Sequence, residues 1–346
     1  MPAHLVATLV NIAVMLGFVL TVVPVMVWVE RRGSALIQDR PGPNRLGPFG
    51  LIQPLADALK FMFKEDVTPT SADKPLYLLA PALAIMPAML TISVIPFGPP
   101  LEINGQLYPL MIANAQAGVL LFLALASLGV YSLVLAGYAS NNKFSLMGAI
   151  RASAQMISYE LALTLAVLAV VIPVGSFHLQ DVVNYQRAHI WNFIPQILGF
   201  GVFLIASFAE TNRLPFDLPE AESELVAGFH TEYSAMRFAS FFMGEYMSMT
   251  SLSALGVTLY FGGWSLPGVD LDGWLGAIVG LLVLVAKIAF CMAVFVWVRW
   301  SFPRFRYDQL MRLGWKVLLP IAIFNLILVS AMTLAGWLGA PGLGAQ

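Results

Sequence analysis

The chain has 346 residues, 59% of them hydrophobic and only 11% charged, with 19 acids against 18 Lys and Arg. An ordinary soluble domain is about a quarter charged, so the composition excludes a soluble enzyme. The one cysteine, Cys291, excludes a disulfide framework or an iron–sulfur site built by this chain alone.

A helix crossing the hydrocarbon core of a bilayer needs roughly 20 apolar residues, because its backbone polar groups must be satisfied within the segment. Eight segments qualify: Leu5–Val29, Leu76–Phe97, Ala115–Tyr138, Ala154–Val174, Trp191–Ala209, Phe241–Gly262, Trp274–Val298 and Val317–Leu338. The first lacks a basic start and runs on to Glu30-Arg31-Arg32, which predicts a retained span and not a cleaved signal. Pro24, Pro81, Pro87, Pro173 and Pro195 lie in or near the spans, as membrane helices tolerate.

Between the first two spans, residues 30–75 form a long charged loop. Asp39-Arg40-Pro41-Gly42-Pro43-Asn44 and Gly47-Pro48-Phe49-Gly50 predict turns. Leu51, Ile52, Leu55, Leu59, Met62 and Phe63 then recur at helical spacing opposite Asp57, Lys60 and Lys64, an amphipathic helix suited to lying in the membrane interface. Long turn-rich loops of this kind more often serve a site than a linker. The connections at 96–100 and 271–274 read as short connectors, whereas 139–153 and 299–316 are basic.

Positive charges near span ends are retained on the cytoplasmic side. Of the 18 Lys and Arg, 16 fall in alternate connections; Arg187 lies on the other side and Lys287 inside a span. The expected topology has inner loops 30–75, 139–153, 210–240 and 299–316, with both termini outside. The fold class expected is all-α: a single polytopic membrane domain, residues 1–346, of about eight transmembrane helices plus the interfacial helix.

Residues 210–237 carry Glu210, Asp217, Glu220, Glu222, Glu224 and Glu232 against Arg213 and Arg237. If Pro219 opens a short helix, Glu220 and Glu224 share a face, and crowded carboxylates raise each other's proton affinity. Leu214, Pro215, Phe216, Leu218, Leu225, Val226 and Phe229 are interleaved and predict burial. Glu160 and Glu245 lie inside spans near their inner ends, and Lys287 near the middle of its own; such charges are costly in a membrane and usually functional. Lys287 then needs a carboxylate partner, a water-filled cavity or a neutral amine. His4, His178 and His189 lie on the outer side and His230 in the acidic loop, without metal-ligand spacing; among carboxylates, His230 could titrate near neutrality. No Gly-x-Gly-x-x-Gly or phosphate-binding Gly-Lys-Ser/Thr loop occurs, so neither a nicotinamide nucleotide nor ATP is expected to bind here by those routes. No metal and no nucleic acid is expected.

Glu30-Arg31-Arg32 through Arg40-Pro-Gly-Pro-Asn44, Gly47 through Lys60, Ser158-Tyr159-Glu160, Ala209 through Gly228, and Pro303-Arg-Phe-Arg-Tyr-Asp-Gln-Leu-Met311 together resemble one family over nearly the whole chain. It is the H subunit of proton-translocating NADH:quinone oxidoreductase, respiratory complex I, called subunit 1 in mitochondria. The resemblance implies a multi-pass protein of a bacterial cytoplasmic or mitochondrial inner membrane that joins the peripheral arm to neighbouring membrane-arm subunits and forms much of the quinone-access chamber. It implies no redox centre in this chain, with FMN and iron–sulfur clusters in partner subunits and quinone as substrate. Family positions of the chamber fall here on Arg31, Gln38, Arg40, Asp57, Lys60, Arg213, Arg299, Arg304 and Arg306. Those of the proposed proton-coupling route fall on Glu160, Glu210, Asp217, Glu220, Glu222, Glu224 and Glu245, and Lys287 also matches a family lysine. His230 departs from the Asn more common there.

A quinone needs an apolar passage from lipid toward an electron donor. The first span, the amphipathic helix and the sixth span are its expected walls, with Met62, Met236, Met243, Met247 and Met249 as adaptable lining. A free-standing proton or cation transporter, a non-catalytic docking scaffold, and the equivalent subunit of a membrane-bound hydrogenase-type complex are the alternatives. Absent repeat symmetry argues mildly against the first.

Overall fold

The computed structural model describes residues 2–103, 105–217, 227–269 and 273–338. Helix α1 (Pro2–Ile37) carries Pro24 and continues past the predicted span, so Glu30, Arg31 and Ser34 extend from a rigid rod and not a loop. The turn Pro48–Gly50 folds back on that rod: the Trp28 indole donates to Phe49 O at 2.9 Å. Next comes α2 (Gln53–Phe63), the predicted amphipathic helix. Leu55, Leu59, Met62 and Phe63 are exposed along one side of it, as a lipid-facing stripe requires.

Helices α3 (Lys74–Ile92), α4 (Gly118–Ala139) and α5 (Lys143–Val174) pack in sequence, α3 on α4 and α4 on α5. The connection from α3 to α4 holds a small antiparallel hairpin, β1 (Leu101–Ile103) with β2 (Gln106–Tyr108), turning at Gly105 with φ 74°. Asn142 caps α5 by accepting the Phe144 amide at 3.0 Å, and Gly175, in the left-handed region, ends it. The remaining helices are α6 (Leu179–Ala188), α7 (Ile197–Glu210), α8 (Ala235–Tyr260), α9 (Gly273–Ser301) and α10 (Tyr307–Leu334), the last containing a π-helical turn at Leu313–Leu318.

Among the described residues, six helices are long and apolar enough to cross a membrane: α1, α3, α4, α5, α9 and α10. These match six of the eight predicted spans and make the chain an all-α polytopic membrane protein. The fifth and sixth predicted spans differ for identifiable reasons. Only Ile197–Glu210 of the fifth is helical, about 21 Å at 1.5 Å per residue, because residues 192–196 form turns. Non-helical backbone is tolerated at depth when protein groups satisfy it. Here the Asn192 amide donates to the Gln186 side-chain carbonyl at 3.3 Å and the Phe193 amide to Tyr260 O at 3.1 Å. The corner's side chains in turn serve their neighbours, Asn192 donating to Leu259 O at 2.9 Å and Gln196 to Ala169 O at 3.2 Å.

The sixth, α8, is long enough but rich in Ser, Thr and Tyr. Protein covers these residues: Met249 through Tyr260 is buried without a break, against α3, α6, α7 and α9. Gly244 lets it approach α3, since a Cβ there would sit 2.7 Å from Ala84 O. An interior helix shielded from lipid does not need a lipid-compatible surface.

Candidate functional site: a cavity between α1, α2 and α8

A cavity of ≈ 570 Å³ lies between α1, α2 and the first half of α8. Along α1 its lining runs Val19, Leu20, Val23, Pro24, Val27, Glu30, Arg31 and Ser34, one helical face about 22 Å long. The face is apolar up to Val27 and polar beyond. α8 contributes Met236, Phe238, Ala239, Phe242, Met243, Tyr246 and Met247, while α2 contributes Pro54, Asp57, Ala58 and Phe61. Of the methionines expected as lining, Met236, Met243 and Met247 are there; Met62 and Met249 are not.

The polar end is organised around Glu30, which is buried. Its carboxylate accepts the Tyr246 hydroxyl at 2.6 Å and pairs with Arg213 at 3.2 Å and with Arg299. Arg213 also pairs with Glu245 and lies over the Tyr246 ring at 4.4 Å. Burial works against its charge, but Glu245, Tyr246 and Glu30 hold its pKa above the ordinary arginine range. Beside this knot Arg31 pairs with Asp57 at 2.6 Å, and Arg40 donates to Gln38 at 2.7 Å.

The predicted chamber residues therefore divide. Arg31, Arg40 and Asp57 line the cavity, Gln38 is held by Arg40, and Arg213 and Arg299 act on it through Glu30. Lys60 is exposed on α2. Arg304 pairs instead with Asp217 at 2.8 Å, and Arg306 is exposed, its backbone N–H donating to Gln309 at 3.2 Å.

Two smaller cavities, ≈ 70 Å³ and ≈ 40 Å³, lie beyond the knot. The first touches Glu210, Asn212, Glu245 and Ser248, the second Glu210 and Ser248. Glu210 is buried with Oε2 lacking a hydrogen-bond partner, and Glu160, accepting the Ser127 hydroxyl, is close enough to act on it electrostatically. Gln155 fixes the start of the acidic loop, donating to Ala209 O and Phe216 O, both at 2.8 Å. Gly148 lets the loop's far end lie on α5, as a Cβ there would fall 2.9 Å from the Gly228 Cα. Glu220, Glu222 and Glu224 lie outside the described residues. His230 is buried beneath Phe238 and Phe242, with ring centroids 5.1 and 5.8 Å away.

Lys287 is placed elsewhere. Its ammonium donates to the carbonyls of Phe261, Gly263 and Ser265 at 2.7, 2.9 and 2.7 Å and lies over the Trp191 ring at 4.8 Å. None of the three remedies expected for a mid-span lysine was this one. The cation sits at the negative end of α8, about 24 Å along that helix from Glu245, so the fold does not bring it to the carboxylates.

Sequence reasoning did not assign Glu30, Ser34, Tyr246, Phe242 or Trp300 to the site, although all five line the cavity. A signal existed for two of them. Val23, Val27, Glu30 and Ser34 share one face of a helix carried straight through the span end.

A family model described as NADH dehydrogenase matches residues 10–330. The chain is 50% identical over 310 residues to an H subunit of the NADH-quinone oxidoreductase of Cytophaga hutchinsonii, covering 89% of this chain and 91% of that one. It is 49% identical over 330 residues to an H subunit of the same enzyme in Geobacter metallireducens, covering 95% of each. The corresponding protein of Leptospira biflexa is 47% identical over 334 residues, 92% of this chain and 94% of its own length.

Proposed function

The chain belongs to the NADH dehydrogenase family as the H-type membrane subunit of NADH-quinone oxidoreductase, and from that premise we propose that the α1–α2–α8 cavity admits the quinone and that buried carboxylates couple its reduction to proton movement. The observation that carries the reading is the graded lining of α1, apolar from Val19 to Val27 and charged from Glu30 to Ser34. An isoprenoid tail and a polar quinone head have the same gradient. Apolar pockets with a few convergent polar groups are the usual form of a small-molecule site.

Electrons arrive from partner subunits, where the FMN and iron–sulfur clusters reside, and the peripheral arm meets this chain at its charged loops on the cytoplasmic or matrix side. Reduction to quinol adds two electrons and two protons. At the head end, Arg31 and Arg40 balance the negative charge that builds before the protons arrive. That charge also acts on Glu30, whose hold on Arg213 weakens as Glu245 competes for the same guanidinium. A change in the pairing of Arg213 alters the charge facing the smaller cavities, and Glu210 and Glu160 respond by taking up or releasing protons. The larger of the two touches both Glu245 and Glu210 and has room for a water to bridge them. Asp217, held by Arg304, joins the same loop to the 299–316 connection, and Glu220, Glu222 and Glu224 extend the acidic supply. Lys287, bound to three carbonyls, serves as a fixed clamp on the end of α8 and not as a proton carrier.

A photoactivatable quinone tests the site directly. In the intact complex it should label α1, α2 or α8 at residues lining the cavity, and excess quinone should suppress the labelling. Labelling confined to other subunits would favour the docking-scaffold alternative.

A further inference from the structure

The cavity wall formed by α2 and α8 is closed by one aromatic contact. Phe61 of α2 and Phe238 of α8 both line the cavity, with ring centroids 6.2 Å apart. That spacing is contact distance for two rings. Helix α2 is tied to α1 by the Arg31–Asp57 pair, and on the α8 side the Phe61–Phe238 contact is backed by the loop that follows, residues 64–73.

That loop is fastened to the first turn of α8. Arg237 pairs with Asp66 at 2.9 Å and donates to the Thr68 hydroxyl at 2.7 Å, and its guanidinium lies over the Tyr77 ring at 5.3 Å. The Val67 amide donates to the Ser234 hydroxyl at 3.0 Å. Arg237 sits between two cavity residues, Met236 and Phe238, and its own side chain points to the loop. The neighbouring Phe238 packs on His230 and Phe242, with ring centroids 5.1 and 4.8 Å away, and reaches Phe61 across the wall.

We propose that Arg237 is a positioning residue which, through Asp66 and Thr68, holds Phe238 against Phe61 and so fixes the width of the passage open to a quinone tail. The proposal rests on the cavity being the quinone site. Because the aromatic pair stands on the wall and not among the charged groups around Glu30, the latch governs passage of the tail and leaves reaction of the head unchanged.

The test uses the assembled complex in proteoliposomes with two ubiquinone probes, one bearing a decyl chain and one a native-length polyisoprenoid chain. R237Q and D66N should each raise KM for the long-tailed quinone about two- to fivefold, the change expected from losing a partly exposed ion pair. KM for the decyl quinone and kcat for both should stay at the wild-type level. R237K should recover most of the difference, and the R237Q/D66N pair should be no worse than either single change. Equal changes with both quinones, or none with either, would overturn the latch. Photolabelling outside the cavity would instead overturn the reading beneath it.

Discussion

Replacing Arg213 with Gln should lower quinone reduction by two orders of magnitude or prevent the subunit from assembling. Arg213 is 4% exposed and is shared by Glu30 and Glu245. Removing it leaves two carboxylates facing each other in a buried site, with only Arg299 and the Tyr246 hydroxyl remaining on Glu30. Breaking a buried ion pair from one side costs about 3–5 kcal/mol, and about 1.4 kcal/mol corresponds to a factor of ten. Arg213→Lys keeps the charge but loses the fork that reaches two acids at once, so it should fall between the two. The double variant with Glu245→Gln should regain part of the loss, since the uncompensated charge is then removed. Turnover per assembled complex, with assembly read on a native gel, is the measurement. Wild-type turnover in Arg213→Gln would remove Arg213 from the mechanism.

The second large effect is expected from filling the cavity. Ala239 lines it from α8 and is only partly buried, so an indole there projects into open volume and not into packed protein. Ala239→Trp should assemble normally and reduce quinone at least about tenfold more slowly, because the substrate and the side chain compete for one space. Leu282→Trp, at a 63% exposed position of α9, controls for the bulk of the residue and should match wild type. Equal turnover in both variants would mean that quinone reaches its donor by another way.

Why these residues matter was only partly written in the local sequence. Apolar spacing marked the first span, the amphipathic helix and the sixth span as helices; the resemblance is what implied that they wall a quinone passage and that Arg31, Arg40 and Asp57 belong to it. The pairing that organises the polar end was not legible. Glu30 and Arg213 are 183 residues apart in the chain, and no periodicity links them. The corner at Trp191–Gln196 was misread as part of a span for a different reason. Counting apolar residues cannot reveal that the Gln186 side chain and the Tyr260 carbonyl will take the corner's amides. Lys287 illustrates the same limit, since a charge flanked by apolar residues gives no sign that three turn carbonyls will close around it.

The charged inner loops also take firmer form. The basic loops do not act as one patch: Arg31 and Arg299 turn inward onto acids, Arg304 binds Asp217, and Arg306 and Lys60 remain exposed. The acidic segment begins with Glu210 beside two small cavities and Asp217 tied to the 299–316 connection. Charge neutralisation is therefore arranged pair by pair, with Arg213 bonded both to Glu30 of the large cavity and to Glu245 of the ≈ 70 Å³ one.

The central claim is that charge arising on the quinone in the large cavity is passed to carboxylates beyond Arg213. Glu210→Gln in the assembled complex, with quinone reduction and proton translocation recorded together in the same proteoliposomes, tests this most directly. The substitution preserves the side chain's shape and removes its ability to take up and release a proton. The account predicts that fewer protons will be moved for each quinone reduced, with the complex still assembled. A normal reduction rate together with a normal proton yield would contradict it.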